Sequence, residues 1–283
     1  MIKTATQLKA KVRNLSKGNS QKAQTYIRNF VMERFLERMA ESKYRNNFIL
    51  KGGMLVAAVV GQDSRATMDI DASVKNISLT KEAAVRIVEE IIAVEIEDGV
   101  HFQITKTTDI MEEHDYPGIR FMLEAALDNL RQTIKIDIST GDVITPSAIE
   151  YSYKLMLEER FISIWVYSIE TLLAEKIETM MHRGTANTRL RDFYDVYIIR
   201  QQVQYDQDML REAFLSTCRK RGTSYQIPEL RIILEEIELS KTMKRDWENY
   251  KKDSFYVGDL RWETVMKGVK ETAAVLYESM LQP

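Results

Sequence analysis

Between Met68 and Ser139 the chain alternates apolar and polar residues in four separate segments: Met68–Val74, His101–Thr107, Ile119–Ala126 and Thr133–Ser139. A period of two turns one set of side chains into a core and leaves the other on an open face, so these segments read as strands of one sheet. On either side the apolar residues recur every three to four positions, over 4–15, 20–42, 81–94, 168–183, 189–202, 207–220, 229–251 and 259–281. That is helical spacing. Phe48-Ile49-Leu50 runs into Lys51-Gly52-Gly53 and a short apolar helix to Val60, and beyond Ile144 the strand signal fades except at Ile162–Tyr167. The expectation is an α+β fold. N-terminal helices and a mixed sheet with flanking helices occupy 1–145, and a mostly helical C-terminal domain occupies 146–283, divided near Thr145-Pro146.

A chain of 283 residues that is 45% apolar collapses around a core of its own, which excludes a disordered or low-complexity protein. The single Cys218 excludes a disulfide framework and a cysteine-based metal site. His101, His114 and His182 stand too far apart to read as a zinc motif. Residues 1–20 are basic and polar with no signal-type apolar stretch, and the longest apolar run, Met54–Val60, is far short of the roughly 20 residues that cross a bilayer. The expected setting is cytoplasmic, with no membrane partner. Charge is uneven along the chain: residues 1–50 carry 11 Lys/Arg against three Glu, whereas residues 61–115 carry 13 acids against five bases. Such polarity fits a basic arm for a polyanion, or two faces that attract one another.

The chemistry concentrates in Lys51-Gly52-Gly53, in Arg65-Ala66-Thr67-Met68-Asp69-Ile70-Asp71 and in Ile134-Lys135-Ile136-Asp137-Ile138. Asp69 and Asp71, two apart on a strand, project from one face, where they repel unless a cation compensates. Asp137 is a lone carboxylate between apolar residues on another strand, and it too needs a partner. Hard oxygen ligands in this pattern suit Mg²⁺, and three such acids can hold two cations for in-line phosphoryl chemistry. Gly52 and Gly53, without Cβ atoms, let backbone approach a triphosphate at the start of a helix.

The order of these motifs resembles the DNA polymerase β-type nucleotidyltransferase superfamily. More closely, Phe48–Leu55 and Thr67–Asp71, with Glu170-Thr171-Leu172-Leu173-Ala174-Glu175-Lys176 and Arg191-Asp192-Phe193-Tyr194-Asp195, resemble the AbiEii/AbiGii family of abortive-infection toxins. The likeness runs from about Arg28 to Arg200. It implies a nucleotidyltransferase-like fold and a toxin paired with a cognate antitoxin, a DNA-binding repressor encoded nearby. It also implies transfer of a nucleotide from an NTP to an RNA acceptor, the tRNA 3′ end. By resemblance, Asp69, Asp71 and Asp137 are metal ligands and catalytic residues, Asp137 serving as a ligand or as the general base on the attacking hydroxyl. Lys51, Gly52, Gly53, Arg65, Thr67 and Lys176 contact the nucleotide, and Lys176, Asp192 and Asp195 form the second part of the catalytic set. The superfamily's usual Gly-Ser is Gly-Gly here.

The residues themselves leave room for other readings. Lys176 lies four from Leu172 and Met180, on the buried side of its helix, and Asp192 and Asp195 share a face at i, i+3. An inward lysine needs an acid or a phosphate, so the set is either an internal ion pair or a phosphate clamp. Two further function classes remain: an idle fold that binds nucleic acid or a partner through residues 1–50, and a phosphotransferase using the same site.

Overall fold

The structure, a computed structural model, describes residues 1–61, 63–77, 80–111 and 117–277. His114 and the end of the last expected helix lie outside those residues. The described chain groups into two compact units, one comprising 1–58, 66–142 and 149–166, the other 59–65, 143–148 and 167–283.

The first unit carries seven strands: β1 (Phe48–Lys51), β2 (Asp69–Val74), β3 (His101–Met111), β4 (Pro117–Leu127), β5 (Leu130–Thr140), β6 (Ile149–Lys154) and β7 (Phe161–Val166). They form one sheet in the order β3-β4-β5-β2-β1-β7-β6. It is mixed: β2 with β5 and β1 with β7 are parallel, the other neighbours antiparallel. Four helices accompany it: α1 (Ala5–Ser16), α2 (Ser20–Glu41), α3 (Gly52–Val60) and α4 (Lys81–Ile92). Thr4, Asn19 and Thr80 cap α1, α2 and α4, each side chain accepting a backbone N–H three residues on. Helix α2 packs on β5 and β7, and α4 on α2 and β3. The alternation read from sequence divides each strand accordingly. Ile134, Ile136 and Ile138 of β5 are buried, while Lys135, Asp137 and Ser139 face the other way and keep partial exposure.

The second unit is helical: α5 (Ile169–Arg183), α6 (Leu190–Gln202), α7 (Gln207–Arg221), α8 (Leu230–Leu239), α9 (Lys241–Asp253) and α10 (Trp262–Tyr277). Its core includes Trp247, Trp262 and Phe193, with ring centroids 5.7 Å apart for the tryptophan pair and 5.3 Å for Phe193 and Trp262. No described helix is long and apolar enough to cross a membrane.

Two features differ from the sequence reading. The sheet continues past residue 145, because Ile149–Lys154 pairs antiparallel with β7 as an edge strand. The segment does alternate, Ile149, Tyr151 and Tyr153 against Glu150, Ser152 and Lys154, but it is short and only Tyr153 of it is buried. The helix expected over 229–251 is broken at Ser240, whose hydroxyl accepts the Met243 N–H and starts α9.

The charge asymmetry resolves into pairing. Lys3 meets Glu97 at 3.2 Å, Lys43 meets Glu90 at 2.6 Å, and Arg38 forks onto Asp98 at 2.7 and 2.9 Å. Arg34 is fully buried beside Glu37. Much of the basic N-terminal stretch therefore neutralises acids of its own unit. Arg34 and Arg38 are thereby removed from any polyanion surface.

Glu33 on α2 is completely buried, with both carboxylate oxygens accepting the Met156 N–H at 3.0 and 3.1 Å. Burial pushes its carboxyl up to about 8, against the pull of that backbone donor and Arg34. The unfolded chain releases this proton near pH 4.5 and the folded chain near 8, so folding stability falls as pH rises between those values and is level above them. Glu33→Gln should remove that slope. Urea unfolding at pH 5 and pH 8 should show the wild-type loss between the two shrink by about 2–4 kcal/mol in the variant. An equal slope in both proteins contradicts the assignment.

Candidate active site

The parallel pairing of β2 with β5 sets Asp69 opposite Lys135 and Asp71 opposite Asp137. Since residues two apart share a face, all four side chains stand together on the open side of the sheet. Asp69, Asp71 and Asp137 each offer a carboxylate oxygen within 4.8 Å of the other two, and among the described residues this is the one such acidic group. The convergence expected from sequence is therefore present.

Each acid is held differently. The Thr67 hydroxyl donates toward Asp69, to its Oδ1 at 3.3 Å or its carbonyl at 3.2 Å, and the Lys135 ammonium lies 2.6 Å from Asp69 Oδ2. Asp137 receives a two-pronged bond from Arg120, Nε to Oδ1 at 2.8 Å and Nη2 to Oδ2 at 2.7 Å. Antiparallel register places Arg120 of β4 directly across from Asp137. Asp71 sits deepest. Burial, then the charges of Asp69 and Asp137, raise its carboxyl to about 6, with Lys51 and Lys135 pulling the other way.

Gly52 opens α3 with φ +66°, and a Cβ there would fall 2.1 Å from Asp71 Oδ2. Both the backbone and the space demand glycine. Lys51, across β1 from Asp71, donates to Asp142 Oδ2 at 2.7 Å, and that oxygen also accepts the Ser139 hydroxyl at 3.0 Å. Three hard oxygen donors so close together, in surroundings that penalise their joint ionisation, fit a divalent cation such as Mg²⁺ and lack the nitrogen or sulfur that zinc favours. Sequence reasoning missed the two cations of this face. The i, i+2 rule that pairs Asp69 with Asp71 also pairs Lys135 with Asp137 and was available. Arg120 required the cross-strand register, which no local pattern gives.

The remaining candidates belong to the helical unit. Lys176 on α5 donates to Asp192 Oδ1 at 2.6 Å and to Asp195 Oδ2 at 2.7 Å, both on the first turns of α6. Asp195 is also forked by Arg65, whose Nη2 lies 3.1 Å from Oδ2, and Asp192 pairs with Arg189 at 2.7 Å. Lys176, Asp192, Asp195 and Arg65 are all buried. Burial alone would raise the Asp195 carboxyl, but Arg65 and Lys176 overcome it and hold the group at about 2. The same acids raise the Lys176 ammonium against its own burial. Arg65, read from sequence as a nucleotide contact, has no exposed surface and is committed to Asp195.

Comparison with solved structures places this architecture. The chain superposes on JHP933 from Helicobacter pylori with a TM-score of 0.54 at 14% identity, covering 91% of this chain and 94% of that one. A candidate nucleotidyltransferase of H. pylori gives 0.53 at 15% identity, with 92% and 98% covered. At that identity the likeness defines the class of fold, that of nucleotidyltransferases. Residues 34–268 match the family described as nucleotidyl transferase AbiEii toxin, type IV toxin–antitoxin system, and the chain belongs to that family. No curated protein matches the sequence.

Proposed function

We propose that the chain is a Mg²⁺-dependent transferase that moves a nucleoside monophosphate from an NTP to an RNA acceptor, the 3′ end of tRNA, and so stops translation until its cognate antitoxin, a DNA-binding repressor encoded nearby, relieves it. The observation that carries this reading is the meeting of Asp69, Asp71 and Asp137 on one open sheet face beside a glycine-led helix. In the transfer, an acceptor hydroxyl oxygen bonds to the donor's α-phosphorus as the bond to pyrophosphate breaks, and the hydroxyl's proton leaves to solvent. Asp69, Asp71 and Asp137 would hold the metal, which when bound neutralises phosphate charge and aligns the two oxygens in line. Thr67 and Arg120 fix the carboxylates of Asp69 and Asp137, so that the ligand oxygens are set before substrate arrives. The Arg120 fork directs an N–H donor at each Asp137 oxygen and so disfavours that carboxylate as a proton acceptor. Gly52 keeps the approach to Asp71 clear of side chain.

The test follows the label. The purified protein is incubated with total RNA, Mg²⁺ and each of ATP, GTP, CTP and UTP labelled at the α- or the γ-phosphate. Label from the α-position on RNA is the expected result. Label from the γ-position on RNA or protein makes the site a phosphotransferase instead. No label from either position, with toxicity intact in cells, overturns the enzymatic reading.

A further inference from the structure

Lys135 occupies a place that a metal ligand's counter-ion should vacate. Its ammonium is 2.6 Å from Asp69 Oδ2 and 3.7 Å from Asp137 Oδ2, so it bridges two of the three acids from within their own cluster. Around it stand three carboxylates and the Arg120 guanidinium, and the Lys51 ammonium is drawn off to Asp142. A divalent cation of Mg²⁺ size binds carboxylate oxygen at about 2.0–2.1 Å. On Asp69 Oδ2 it would lie against an ammonium of like charge, and the two cannot share that oxygen.

The two cations of the face are built differently. Arg120 is a planar fork whose two prongs are spent on one carboxylate, which fixes it. Lys135 is a point charge on a flexible four-carbon stem, held by single contacts and able to swing while its strand stays in register. We propose that Lys135 is a built-in stand-in for the metal: it neutralises Asp69 in the metal-free protein, yields that carboxylate to an arriving divalent cation, and turns its ammonium toward the donor's phosphates. The inference rests on the metal-dependent reading of the acidic cluster. It makes Lys135 a residue with two successive partners, and it explains how three adjacent acids persist together before metal and nucleotide arrive.

Manganese binding to the whole protein without nucleotide tests it, followed by electron paramagnetic resonance. Lys135→Met keeps most of the stem and removes the competitor, so Mn²⁺ should bind roughly tenfold tighter or better than to wild type. Nucleotide transfer by the same variant should fall, since the displaced ammonium no longer meets phosphate. Unchanged or weaker Mn²⁺ binding in a folded Lys135→Met protein overturns the proposal. Asp69→Asn separates the two levels: if it leaves Mn²⁺ binding intact, the acidic cluster is not the metal site and the metal-dependent reading itself has failed. Should Lys135→Met not fold, wild-type protein carrying ¹⁵N-labelled lysine serves. The ion-paired Lys135 ammonium signal should shift or vanish on adding Mg²⁺ alone, and persistence of that signal through saturation overturns the proposal.

Discussion

Asp71→Asn should abolish nucleotide transfer, by about three orders of magnitude or more, while making the metal-free protein more stable. The two effects share one cause. Asp71 is the acid whose carboxyl is raised to about 6 by burial and by its two acidic neighbours. An unfolded chain ionises it near 3.8, so the folded state loses stability as pH rises from 3.8 to 6 and carries the full cost above that. The amide has the same shape, fits under Gly52 and removes a charge from a trio of like sign. The metal-free variant should therefore gain about 1–3 kcal/mol at neutral pH. Added Mg²⁺ should raise the melting temperature of wild type and leave that of the variant where it was, because a ligand stabilises only the state that binds it. A variant that transfers nucleotide at the wild-type rate would remove Asp71 from the machinery.

The acids of the helical unit should behave in the opposite sense. Asp195→Ala leaves Arg65 and Lys176 buried with one carboxylate fewer between them and is expected to lose about 3–5 kcal/mol, enough to unfold the unit near body temperature. Lys176→Met should cost less, about 1–2 kcal/mol, because Asp195 keeps Arg65 and Asp192 keeps Arg189. Chemical unfolding of both variants checks the ranking, and equal losses would show that the ion cluster is not organised around Asp195. The Asp195 contribution is present above about pH 4 and disappears as pH falls toward 2, where its folded-state proton returns. If the Lys176→Met protein is folded yet transfers nucleotide far more slowly than its stability explains, its ammonium has a chemical duty beyond the ion pair.

How much of this was legible beforehand depends on how local each feature is. Asp69 and Asp71 are neighbours on one strand, and the period of two sufficed to set them side by side. Asp137 could be singled out because a charge between isoleucines is conspicuous. Helical spacing put Lys176 on the buried side of its helix and set Asp192 and Asp195 on one face of the next, leaving an ion pair or a phosphate clamp open, and in the structure both acids bind the lysine. Features that depend on register or on distant sequence were hidden. Arg120 reaches Asp137 only because β4 and β5 pair as they do. Arg65 stands four residues before Asp69 in the motif, yet its guanidinium meets Asp195, 130 positions away. Strand β6 was legible in principle, since Ile149, Tyr151 and Tyr153 alternate with Glu150, Ser152 and Lys154, but six residues at a sheet edge, of which only Tyr153 is buried, make a weak signal.

The path of the backbone limits how this protein can be taken apart. The chain passes between the two units five times. A gene fragment ending at residue 145 would omit β6 and β7 and strip β1 of its parallel neighbour. The bared strand would offer its row of amides and carbonyls to any other chain, the condition under which sheets stick to one another. A single cut at that point does not separate the helical portion from the sheet, so dissection of the toxin has to proceed by point substitution.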